Sequence, residues 1–193
     1  MEPRRIIAFI DGENLVFRYQ AMKEGGKTPQ IGLFHRPDTY VWSNFLSLPN
    51  DHSLVRANYY TSTVGDEPKI EAVSSELKKM EIHGRYLLSV GGKETFQYGQ
   101  NLYPLVFKKP DQSNKTKVID TRLTVDILTN VYQDNIDSVF LISGDGDYEE
   151  VIREVIRKGK RIYVAALSSG LSPKLKNLCD EFIDLDSLFF KEH

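Results

Sequence analysis

The chain is poor in the residues that many enzyme classes depend on. A single cysteine, Cys179, stands among 193 residues. It has no partner for an internal disulfide, so folding needs no oxidising compartment, and a cysteine-based zinc cluster is excluded. We read Cys179 as a small apolar residue on a C-terminal helix. Histidine is scarce as well. His35, His52, His83 and His193 lie away from the acidic motifs, and none forms a nucleophile–base pair. His83, before Gly84, reads as the end of a helix. There is no G-x-S-x-G elbow, and GGK at residues 91–93 lacks the spacing of a phosphate-binding loop. Long hydrophobic runs are missing too. After Arg4 and Arg5 only five apolar residues precede Asp11, too few for a signal peptide or a membrane span. The expected location is cytoplasmic, with no membrane partner. A basic excess is also absent: 25 Lys and Arg face 27 Asp and Glu, a formal net charge of -2. Any nucleic-acid binding must therefore come from local patches rather than the overall field.

What is present is a chain of ordinary domain size with 40% hydrophobic residues, enough to bury a core. We expect one domain over residues 1–193, with insertions near 24–50 and 91–116. Residues 6–10 form a short continuous apolar run, as expected of a strand covered on both faces. A helix follows Gly12 to about Met22. Residues 24–50 carry Gly25-Gly26, Pro29, Pro37 and Pro49 and read as irregular, with a short helix near 40–48. Strands are predicted at 54–61 and 85–90, with a helix from Pro68 to His83 between them, closed by Gly84. Residues 91–117 are long, polar and aromatic, with room for a hairpin. Helices at 120–132, 148–158 and 172–179 then alternate with strands at 138–142, 161–166 and 182–185, before a short tail at 186–190. Alternation of this kind gives an α/β fold, a three-layer α/β/α sandwich on a mainly parallel sheet.

Two strand exits share a grammar. FLISGDGDY (residues 140–148) and IIAFIDGEN (residues 6–14) both run from an apolar stretch into acid and glycine. Ligands in open parallel sheets sit outside the carboxyl ends of the strands, where the strand order reverses. If the fourth strand returns to lie beside the first, Asp11 faces Ser143, Asp145 and Asp147. The helix feeding the fourth strand starts at the same edge and brings Asp120. Asp126 lies nearly two turns further along it, about 9 Å away. Taken alone, each acid also reads as a helix cap or a turn residue. Together they need neutralising by pKa shifts or by a cation. Oxygen-only donors suit a hard divalent ion, Mg2+ or Mn2+. A calcium loop is not supported, because DGDYEEVIREVI has an apolar residue at its twelfth position.

FIDGENL, KVIDTRLTVDIL, SVFLISGDGDYEEVIREVIRKGKRIYVAAL and FIDLDSL, in this order, resemble the NYN domain of the PIN-like nuclease superfamily, most closely its bacterial LabA-like group. The resemblance covers residues 5–22 and 117–187. One departure is Val118-Ile119, where the family often has Gly-Val. The resemblance implies a PIN-like fold and a metal-dependent ribonuclease. It places Asp11, Asp120, Asp145 and Asp147 on the family's acidic cluster, Asp126 on a further acidic position, and Asn14 on the polar residue after the first acid. On that reading Asp11, Asp120, Asp145 and Asp147, with Asp126, hold Mg2+ or Mn2+ at a scissile phosphate. Asn14 and Ser143 orient a water or a phosphate oxygen, and Lys117 is a phosphate contact at the rim.

The expected substrate is RNA, single-stranded, held by basic and aromatic residues. Lys108, Lys109, Lys115 and Lys117 interleave with Tyr98, Tyr103 and Phe107, although such a stretch also reads as a hairpin with its own small core. Two other readings stay open. One is a phosphatase-type hydrolase, disfavoured because the first strand ends in Asp11-Gly12-Glu13 and the D-x-D follows the fourth strand instead. The other is a non-catalytic RNA- or protein-binding domain. Leu188-Phe189-Phe190 is expected to dock on the domain itself or on a second copy, which leaves a homodimer open.

Overall fold

A computed structural model describes residues 3–89, 93–110 and 117–192. The chain opens with β1 (Arg4–Asp11) and α1 (Gly12–Glu24), then a small hairpin of β2 (Phe34–Arg36) and β3 (Tyr40–Trp42). The long strand β4 (His52–Thr63) leads into α2 (Glu67–Leu77), followed by β5 (Glu81–Ser89), β6 (Lys93–Asn101) and β7 (Tyr103–Lys108). The second half alternates regularly: α3 (Lys117–Tyr132), β8 (Ser138–Ile142), α4 (Glu149–Arg157), β9 (Arg161–Ala166), α5 (Pro173–Leu178), β10 (Glu181–Asp184) and α6 (Asp186–Phe189).

Six strands form one sheet in the order β10-β9-β8-β1-β4-β7. Every neighbouring pair is parallel. The apolar runs explain this arrangement. Successive side chains of a strand point to opposite faces, and β1 is apolar on both. Ile6, Ala8 and Ile10 enter one core, and Ile7 and Phe9 enter the other. β8 divides in the same way, with Phe140 and Ile142 on one face and Val139 and Leu141 on the other. Leu15, Val16, Tyr19 and Met22 of α1, Val73 and Leu77 of α2, and Phe189 cover the first face. Ile119, Leu123, Ile127 and Val131 of α3, one stripe at helical spacing, cover the second with Val151, Ile152, Val155 and Leu175. The result is the three-layer α/β sandwich expected. Among the described residues no helix is long and apolar enough to cross a membrane. The tail docks on its own chain: Phe190 is buried and stacks on Tyr19 with ring centroids 5.3 Å apart.

Two stretches, residues 40–48 and residues 77–89, depart from expectation. Residues 40–48 hold no helix. Tyr40, Val41 and Trp42 are instead a buried strand paired with β2, and the Tyr59 hydroxyl accepts from Val41 N (3.3 Å) and donates to Val41 O (3.0 Å). The helix expected to reach His83 ends at Leu77, and His83 and Gly84 belong to β5. Gly84 is no helix cap. It faces Tyr98 across the β5–β6 hairpin, where a Cβ would stand 2.3 Å from the tyrosine ring. The strand expected at 85–90, whose last residue lies outside the described ones, therefore joins a separate antiparallel pair. The third strand on that flank of the sheet is β7. It carries Val106 toward one core and Leu105 and Phe107 toward the other, and tolerates Pro104 because it is an edge strand.

Candidate active site

Strand β8 returns beside β1, so the carboxyl ends of the two are neighbours at the point where strand order reverses. Asp11 closes β1 and caps α1: its Oδ1 accepts from Asn14 N at 3.0 Å. Its Oδ2 accepts from the Ser143 hydroxyl at 3.0 Å and from the Tyr148 hydroxyl at 3.2 Å. Asp11 is fully buried, and three donors are what such an anion requires. Asn14 ties the helix to the facing loop, its Oδ1 accepting from Gly144 N at 3.2 Å. Gly144 is tight against the next loop, since a Cβ there would stand 3.3 Å from Leu171 Cα. Gly12 is confined too: a Cβ would fall 2.2 Å from the Tyr59 ring.

Asp120, in the first turn of α3, reaches the same place. Its Oδ1 lies 3.2 Å from the Tyr148 hydroxyl, which thus stands between the carboxylates of Asp11 and Asp120. Burial, together with those two charges, pushes the Tyr148 hydroxyl far above its usual range, so it remains a protonated donor. Its one hydrogen serves one carboxylate at a time. Tyr148 was not singled out from sequence. The signal was there: a tyrosine begins the inward stripe of Val151, Ile152 and Val155, and a buried hydroxyl needs a partner.

The other expected residues divide. Ser143 is buried, gives its hydrogen to Asp11 and accepts from Asp145 N at 3.2 Å. Asp145 is half-buried and caps the single 3-10 turn Gly146–Tyr148, accepting from Asp147 N at 3.1 Å. Asp147 is exposed at the same edge. Asp126 lies further along α3: its Oδ2 accepts from the hydroxyl of Tyr60, the register partner of Asp11 on β4, at 2.9 Å and from Arg122 Nε at 3.0 Å. Lys108 and Lys117 are exposed, and Lys115 lies outside the described residues. Lys109 is not displayed at the surface. Its side chain is 1% exposed, with Nζ 3.7 Å from Oε1 of the buried Glu13 and 5.6 Å from the centroid of the Phe17 ring. That Nζ makes no hydrogen bond among the described residues. Glu13 also accepts from the Ser62 hydroxyl. Sequence alone suggested a basic patch here because a buried lysine and an exposed one look alike when they are adjacent.

The acids therefore share one edge without forming a closed cage. Among the described residues no three His, Cys, Asp or Glu side chains are grouped so as to hold a metal ion. A family model, NYN domain, matches residues 5–186. The chain belongs to the NYN domain family. It is 24% identical over 191 residues to the low amplitude and bright protein LabA of Synechococcus elongatus, covering 96% of this chain and 86% of that one. An uncharacterized protein of Methanocaldococcus jannaschii is 30% identical over 71 residues, 37% of this chain and 30% of that protein. A solved structure, a Vibrio parahaemolyticus protein of unknown function, superposes with a TM-score of 0.56 at 16% identity, covering 98% of this chain and 97% of that one. That likeness shows the fold alone. Within the NYN domain, the edge where β1, β8 and α3 meet carries Asp11, Asp120, Asp145 and Asp147.

Proposed function

We propose that this NYN domain hydrolyses phosphodiester bonds of single-stranded RNA with Mg2+ or Mn2+. The observation that carries the reading is the pair Asp11 and Asp120, drawn from distant parts of the chain to within 3.2 Å of one tyrosine hydroxyl. Magnesium commonly takes one or two protein carboxylates and completes its shell with water and phosphate oxygens. Two carboxylates therefore fit such an ion, and a closed cage of three is not required. Asp11 and Asp120 would hold it, with Asp145 and Asp147 at the same edge of the sheet. The ion, when bound, supplies Lewis-acid activation of a water and offsets charge on the phosphorus.

The chain's own residues set the stage for that chemistry. Asn14 N and the Ser143 hydroxyl fix the two oxygens of Asp11. Tyr148, 1% exposed, reaches both carboxylates with one hydroxyl and would orient the one that accepts its hydrogen. The bond from Gly144 N to Asn14 Oδ1 holds the Ser143–Asp147 loop against α1. A fluorescently labelled single-stranded RNA tests the reading. Cleavage is expected with Mg2+ or Mn2+, with loss on chelation and in Asp11→Asn. Turnover of a generic phosphomonoester with no RNA cleavage would favour the phosphatase alternative. The complete burial of Asp11 supports a second reading, an RNA- or protein-binding domain that keeps the pocket with little turnover. RNA binding with no cleavage under any divalent ion would establish it.

A further inference from the structure

Asn14 and Arg18 lie four residues apart on α1 and so share one face of the helix. That face is turned to the acidic edge, since Asn14 Oδ1 accepts from Gly144 N. Arg18 lies half-buried across Gly170. A Cβ at Gly170 would stand 2.1 Å from Arg18 Cζ, 2.3 Å from Nη1 and 2.4 Å from Nε. Gly170 also has φ +66°, a left-handed conformation that favours glycine. Two requirements for glycine thus meet at one residue: its backbone conformation and the space that the guanidinium occupies. The Gly170 segment in turn backs the acidic loop: Gly170 O and Leu171 Cα lie 3.5 and 3.3 Å from where a Gly144 Cβ would be, and Ser172 N donates to Gly144 O at 2.9 Å.

The guanidinium has five N–H donors. Arg5, Arg36, Arg122, Arg153 and Arg157 each pair with a carboxylate. Arg18 makes no hydrogen bond or ion pair with any described residue. A cation that is packed in place, short of acceptors and set one loop away from a row of carboxylates matches a phosphate, whose oxygens a guanidinium binds in a fork. We infer that Arg18 is a substrate contact, gripping a backbone phosphate of the RNA next to the one at the acidic edge. This rests on the ribonuclease reading. It adds Arg18 to the substrate contacts expected from sequence, which did not include it.

The test measures binding apart from cleavage. In the Asp11→Asn background, fluorescence anisotropy follows a fluorescein-labelled single-stranded RNA over a series of KCl concentrations. Adding Arg18→Ala is expected to weaken binding about tenfold. The slope of log affinity against log salt should fall by about 0.7, the signature of one lost phosphate contact on a single strand. Arg18→Lys should keep the slope and recover only part of the affinity, because it restores charge without the fork. Unchanged affinity and slope in Arg18→Ala, beside intact RNA cleavage by the wild-type protein, would overturn the Arg18 contact and leave the ribonuclease reading standing. A wild-type protein that neither binds nor cleaves RNA would overturn both.

Discussion

The two flanks of β1 are built by different rules. Toward β8, β9 and β10 the chain alternates strand and helix with short connections, and every strand is apolar on both faces. Toward β4 and β7 it takes detours. A small hairpin intervenes before β4, and a second one before β7. The first flank supplies most of the acidic edge: Ser143, Asp145, Asp147 and Tyr148 follow β8, and Asp120 begins the helix that feeds it. The second flank supplies a buried ion pair, Glu13 with Lys109. Regular crossovers place side chains reproducibly at the carboxyl edge of a sheet. The two hairpins on the other flank add contacts to β4: Val41 bonds the Tyr59 hydroxyl through both its backbone groups, and the Tyr98 hydroxyl accepts from Leu54 N.

Four substitutions test that division, beginning with the greatest effect. Asp11→Asn should cut RNA cleavage about a thousandfold while the protein stays folded, since asparagine keeps an acceptor for Asn14 N but loses the charge. A large drop in thermal midpoint with residual cleavage would make Asp11 structural instead. Lys109→Met should do the reverse. It strands the Glu13 carboxylate in the interior and should lower unfolding stability by about 3–5 kcal/mol in urea titration. The double change with Glu13→Gln should recover much of that loss; without recovery, the pair is not what holds β7 to α1. Tyr148→Phe removes the one hydroxyl that lies 3.2 Å from both carboxylates. Metal affinity, read by Mn2+ titration, and RNA cleavage should each fall about 10–100-fold with little change in fold.

The smallest effect concerns pH and lies at the opposite edge of the sheet. The His52 ring is buried at the start of β4, with Nδ1 facing the Asn50 carbonyl at 2.8 Å and the Pro49 carbonyl at 3.2 Å. Nδ1 thus carries the hydrogen, and Nε2 accepts from the Ser138 hydroxyl at 3.1 Å. Burial, partly offset by those carbonyls, holds the imidazole below its ordinary value. The folded protein then binds its proton less readily than the unfolded chain. His52 therefore favours folding fully above the unfolded value, near about 6.5, and that contribution is lost as pH falls toward the folded one. Stability should drop by no more than about 1.4 kcal/mol per pH unit below about 6.5. His52→Gln should flatten that slope, and an unchanged slope would assign the acid sensitivity to other groups.

Much of this arrangement was legible in the sequence. The apolar run of residues 6–10, the matching run at 138–142 and the strand–helix alternation were enough to bring Asp11 to the loop after β8. The helix start near Asp120 followed from the same alternation. What sequence did not yield was contact across long separations. Residues 81–89 carry apolar side chains that also suit a helix end or a sheet strand, and only the pairing with residues 93–101 makes them a hairpin. The spacing of Asp126 on α3 did not reveal its hydrogen bonds with Tyr60 and Arg122. Lys108 and Lys109 are chemically identical neighbours, and period-2 geometry sends one outward and the other beneath α1. Tyr148 escaped because a tyrosine on an apolar stripe passes for core.

The Gly84–Tyr98 contact has a consequence for association. β7 pairs with β4 from Asn58 onward, and among the described residues the earlier part of β4 has no neighbouring strand on that side. The phenol of Tyr98 takes the missing strand's place there, accepting from Leu54 N at 2.8 Å and donating to His52 O at 3.0 Å, while Gln100 Nε2 reaches Val55 O at 3.4 Å. Bare backbone at a sheet margin is a template for a foreign strand. Here that stretch is sealed from within the same polypeptide by a tyrosine that fits only because residue 84 has no side chain.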